Sequence, residues 1–91
     1  MKLYLVHVGF YDPKLMDGLY EQHCNFFVVA NNIKDAKQNI KNKSIFKKNK
    51  MHIDGIQEVN IVDGFKIKLI KDTVKSDLEN YNYDEIKNIK I

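Results

Sequence analysis

Two histidines and two carboxylates carry the chemistry this chain could do. Glu21 and His23 stand two residues apart, and so do His52 and Asp54. On an extended strand the side chains of residues i and i+2 point to one face, so each pair would set an imidazole beside a carboxylate. If the two segments lie side by side in the fold, the four groups can bind a divalent metal or exchange protons. Two further uses fit the same residues: the lining of a small-ligand pocket, and hydrogen bonding at the starts of strands. The spacing matches no recognised metal signature, so only the fold can decide whether the pairs meet.

The other reactive side chains read as structural. Cys24 follows His23 directly, and neighbours on a strand face opposite ways, so that histidine is not placed to activate the thiol. A buried structural cysteine is expected. His7 lies in a largely apolar segment and reads as a core histidine satisfied by hydrogen bonds. The chain has no Gly-rich phosphate loop, nucleophile elbow or Cys-X-X-Cys; no cofactor is expected and no reaction is implied.

All fifteen basic residues are lysine, and the net charge is +3. Eleven Ile and ten Asn accompany them, a bias that an AT-rich genome explains most simply. Seven lysines between Lys34 and Lys50, set against Asp35, give that segment a charge of +6. Such density would attract phosphate backbones, and weak non-specific nucleic-acid binding follows as one reading. However, no arginine is available for bidentate recognition, and no aromatic residues alternate with the lysines to stack bases. A solvated face is expected, and nucleic acid is not the expected partner.

Placing these groups falls to one small domain, since 91 residues support a single core. The lone cysteine excludes an internal disulfide. The apolar opening Met1–Phe10 is too short for a signal peptide, carries His7, and runs into Asp12-Pro13. No apolar run approaches the roughly 20 residues of a membrane span. The cytoplasm is the expected compartment, with no membrane partner.

Lys2–Phe10 reads as a strand, with Tyr4, Val6, Val8 and Phe10 on one face and Leu3, Leu5 and His7 on the other. Being apolar on both faces, it is expected to be central. Asp12-Pro13 and Asp17-Gly18 mark a loop to Tyr20. A second strand runs from Glu21 to Ala30. Asn32 then caps a helix expected over about 32–43, with Ile33, Ala36 and Ile40 at helical spacing. Ile45 and Phe46 fall off that stripe and are expected to anchor the following loop. Farther on, two alternating runs, Gln57-Val59-Ile61 and Phe65-Ile67-Leu69, flank Asp63-Gly64. A three-residue loop, Val62-Asp63-Gly64, would pair Ile61 with Phe65, keep the apolar face intact and set Gly64 at positive φ. The expected architecture is an α+β strand-strand-helix-strand-strand unit over 1–71, in two layers, with a mostly antiparallel four-stranded sheet. A tail follows over 72–91. It carries five acids and three lysines, and Val74, Leu78 and Tyr81 are spaced for a short helix.

These segments resemble a known family. The opening strand ends in His7-Val8-Gly9; Glu21-Gln22-His23 runs into Phe27-Val28-Val29-Ala30; His52-Ile53-Asp54 follows the helix; and Val62-Asp63-Gly64-Phe65-Lys66-Ile67 closes the unit. Their order and spacing are similar to the small bacterial proteins grouped as domain of unknown function fifteen forty-three, over about Met1–Ile70. That family has an acidic residue after the first motif histidine, where this chain has Cys24. The resemblance implies the same compact unit and no assigned activity. The first functional reading is a non-catalytic binding or assembly module forming a homodimer, because one helix covers one sheet face and leaves Leu3, Leu5 and Phe27 on the other. The rival is a small enzyme or metal protein using Glu21, His23, His52 and Asp54.

Overall fold

A computed structural model describes residues Met1–Ile91. Three strands form an antiparallel sheet in the order β2-β1-β3: β1 is Lys2–Tyr11, β2 Glu21–Ala30 and β3 His52–Val59. The doubly apolar β1 is central, as its composition predicts. Tyr4, Val6 and Val8 project to one face and are fully buried, joined there by Val28 and Ala30 of β2. The helices cover this face. α1 (Ile33–Lys41) starts where Asn32 Oδ1 accepts the Asp35 N–H at 2.8 Å, and it lays Ala36 and Ile40 into the core.

A second helix, α2 (Ser44–Lys48), was not expected. Phe46 does anchor the connection, as its apolar character suggested, but from a helical turn. The exit from α2 matters for the site. Met51 N–H bonds to the Phe46 carbonyl at 3.0 Å and Lys50 N–H to the Lys47 carbonyl at 3.2 Å, with Lys50 at φ +49°. This pair of bonds and left-handed residue define a Schellman stop, accompanied by contact between apolar residues at its two ends. Here those residues are Phe46 and Met51, both in the core. Seating Met51 fixes where β3 begins, one residue later, at His52.

β3 carries a bulge. Val8 pairs with Ile53 and His7 with Gly55, so Asp54 is an extra residue opposite the His7–Val8 step. Without it, Ile53 and Ile56, three residues apart, would face opposite ways. With it, both pack against the core.

The hairpin corrects two expectations. The sheet has three strands rather than four: β4 (Ile61–Val62) and β5 (Phe65–Lys66) pair only with each other. The register also differs, with Ile61 opposite Lys66 and Val62 opposite Phe65, leaving a two-residue turn. Asp63 and Gly64 sit at φ +52° and +81°, both positive as a type I′ turn requires. Gly64 is therefore left-handed as expected, but Ile61 and Phe65 lie on opposite faces. The three-residue loop was inferred to keep an apolar face buried. This hairpin projects from the core, with Ile61 and Phe65 exposed, so no burial restrains the register and the Asp-Gly turn sets it. In the tail, α3 is Tyr83–Lys87, past the Val74–Tyr81 stripe, because Asn82 and Glu85 supply a reciprocal capping box there. No helix is long and apolar enough to cross a membrane.

Candidate metal centre

The helix-free face of the sheet holds the four residues singled out from the sequence. Gly9 pairs with His23 on one side and with His52 on the other. Both histidines thus flank a central position without a side chain. Glu21, opposite Tyr11, lies one pleat along β2 from His23. Strand alternation puts Asp54 on the same face as His52, and the bulge after it keeps Gly55, opposite His7, on that face as well.

All four side chains converge above Gly9. His52 Nε2 lies 2.8 Å from Glu21 Oε1 and 3.1 Å from Asp54 Oδ1. His23 Nε2 lies 3.1 Å from Glu21 Oε1 and 3.1 Å from Asp54 Oδ2. The imidazoles and carboxylates therefore alternate around a closed ring of four N···O contacts. The centre is packed closely: a Cβ built on Gly9 would fall 2.5 Å from His52 Nε2 and 2.7 Å from Asp54 Oδ2, and would meet Glu21 Oε1. An isolated glycine within a strand marks such a close approach, and that signal stood in His7-Val8-Gly9.

One linear hydrogen bond per imidazole satisfies only two of the four contacts. An imidazole Nε2 carries at most one hydrogen, yet each Nε2 faces two carboxylate oxygens. A cation at the centre would satisfy all four groups at once. Zinc bonds of 2.0–2.1 Å in a tetrahedral site set its ligands about 3.3–3.4 Å apart, a few tenths of an ångström wider than these four adjacent contacts. The ligand atoms mutually within 4.8 Å are those of Glu21, His52 and Asp54, with His23 grouped instead with His7 and Asp54, so His23 would move inward to join one ion. Two imidazoles with two carboxylates suit zinc and neighbouring transition ions. No lysine pairs with Glu21 or Asp54, in a chain with fifteen of them. Each of the four side chains keeps 31–46% of its surface open, so water reaches the ring from the outer side.

His7 is not the core residue expected. It is exposed on this same face, its Nδ1 lies 2.7 Å from Asn25 Oδ1, and its ring stacks on His23 at 4.9 Å with planes 5° apart. Cys24 points to the other side, half-buried against the core. Lys37, Lys41, Lys47 and Lys50 line a shallow depression that reaches His52 from the side of the helices.

The family described as Domain of Unknown Function (DUF1543) matches residues 18–69. The chain belongs to that family. The DUF1543 match includes Glu21, His23, His52 and Asp54 and begins after β1, so His7 and Gly9 lie outside it. No curated protein and no solved structure matches the chain.

Proposed function

We propose that this DUF1543 protein binds a divalent transition-metal ion through His23 and His52 Nε2 and the carboxylates of Glu21 and Asp54. The observation that carries the reading is the closed ring of contacts at 2.8–3.1 Å, in which each Nε2, with one hydrogen at most, faces two carboxylate oxygens. The sequence called for no cofactor because its metal-ligand spacing is unremarkable; the grouping arises from strand pairing across Gly9. Four protein ligands would fill a tetrahedral zinc site, as in structural centres, and a water could join only as a fifth ligand.

Zinc retention tests this. The full chain, loaded with Zn²⁺ and dialysed, should keep the metal, and the His23→Ala/His52→Ala double variant should lose it while keeping its circular dichroism. Equal retention by both, or none by either, would contradict the reading.

A second reading concerns assembly. The end of the outer face remote from the ring is apolar: Leu3 and Leu5 are half-buried and Phe27 is 57% exposed. A second copy covering this end would make a homodimer in the cytoplasm, where a lone thiol stays reduced. Sedimentation should then give twice the chain mass, reverting to one mass in Phe27→Asp; a wild-type monomer at high concentration would remove it.

A further inference from the structure

Building on the metal reading above, we propose that the site takes two divalent ions, with His7 as a fifth ligand and Asp54 as the bridge between them.

The side chains form two triads that share one residue. The ligand atoms of His7, His23 and Asp54 lie within 4.8 Å of one another, and so do those of Glu21, His52 and Asp54. The shared carboxylate is divided between them: Oδ2 faces His23 and Oδ1 faces His52, each at 3.1 Å. A carboxylate whose oxygens serve different partners is placed to bridge, and two-metal sites hold their ions about 3.5–4 Å apart.

His7 can become a ligand when its ring turns out of the parallel stack on His23, since in-plane lone pairs on rings 5° apart do not meet at one ion. The Asn25 amide oxygen only accepts hydrogen bonds, so at 2.7 Å the His7 Nδ1 must carry the proton and donate. In the neutral ring this leaves the Nε2 lone pair free. Metal-binding histidines are commonly oriented this way, with the second ring nitrogen donating to a carbonyl or carboxylate. Space is also available beside it. Gly55, paired with His7, has nothing within 4 Å of where a Cβ would stand, and a depression of ≈ 320 Å³ opens there between Leu5, Asn25 and Gln57. Two dications against two carboxylates leave surplus positive charge. Hydroxide or the oxygen of an anionic ligand would fit that open side.

Native mass spectrometry of the full chain titrated with Zn²⁺ separates the possibilities. The wild type should take two zinc ions per chain and His7→Ala one. His7 is exposed, so its loss should leave the fold intact, which circular dichroism verifies. Mn²⁺-loaded wild type should show the spin-coupled paramagnetic resonance signal of an ion pair, and His7→Ala should show only isolated Mn²⁺. One zinc per wild-type chain would overturn the two-ion inference and leave the single-ion reading standing. Two zinc ions in both proteins would remove His7 from the ligand set. No zinc in the wild type would defeat the underlying reading itself.

Discussion

Gly9→Ala places a methyl carbon at the centre of the four-residue ring. The new atom would stand 2.5 Å from His52 Nε2 and 2.7 Å from Asp54 Oδ2, and against Glu21 Oε1. Ordinary contact between heavy atoms begins near 3.5 Å, so three side-chain ends must each retreat by roughly 1 Å. They are flexible and open to solvent, and they can move. The backbone at Gly9 is extended, a conformation alanine adopts freely. Glycine within a strand is the weaker choice by about 0.5–1 kcal/mol, so the metal-free variant should be at least as stable as the wild type. Metal affinity should fall instead. A bond near 2 Å does not survive a 1 Å displacement, and losing even an outer-shell partner costs a metal site 10–100-fold. A loss of at least about 100-fold, or about 2.7 kcal/mol, is expected. Titration calorimetry with Zn²⁺ measures it, alongside thermal unfolding of the metal-free proteins. Unchanged zinc affinity in a folded Gly9→Ala protein would refute the idea that convergence above Gly9 makes the site.

Three further outcomes test the scaffold. Ile40→Ala removes a fully buried side chain and should cost about 2–5 kcal/mol, lowering Tm by at least about 10 °C; a shift of a degree or two would mean that α1 does not seal the core. Lys50→Gly relieves a left-handed lysine at φ +49° and should stabilise by about 1 kcal/mol in urea unfolding, whereas destabilisation would contradict the Schellman stop. Hydrogen bonds from Asn60, Lys2 and the Tyr4 hydroxyl hold the Glu58 carboxyl below its ordinary value of 4.5. A depressed carboxyl contributes stability that is present above the unfolded pKa and is lost as pH falls through the folded one. The Tm advantage of wild type over Glu58→Gln should therefore be full at pH 6 and shrink as acid is added below about pH 4.5; an advantage independent of pH would count against these bonds.

Much of this fold follows local rules that a sequence displays. The alternation of Tyr4, Val6 and Val8 marks a strand wherever its neighbours lie, and Asn32 caps α1 with its own side chain. The four ring residues were visible for the same reason, since spacing of two on a strand means one face. What joins them is long-range and was not visible. β1 lies between β2 and β3, and only that order brings Glu21 within reach of His52. The bulge at Asp54 left a trace, two core isoleucines three residues apart with a glycine between, but the trace gains meaning only once the partner strand is known. His7 was misassigned because an apolar strand was equated with two buried faces. The hairpin register failed by the same assumption: a burial argument was applied to residues that the fold leaves in solvent.

The most direct test of the central claim is anomalous diffraction at the zinc absorption edge from crystals of the full chain grown with Zn²⁺. The account predicts anomalous density above Gly9, with Nε2 of His23 and Nε2 of His52 each about 2.0–2.1 Å from a zinc ion and oxygens of Glu21 and Asp54 completing the coordination. Zinc bound elsewhere, with these four side chains still hydrogen-bonded to one another and no peak among them, would contradict it.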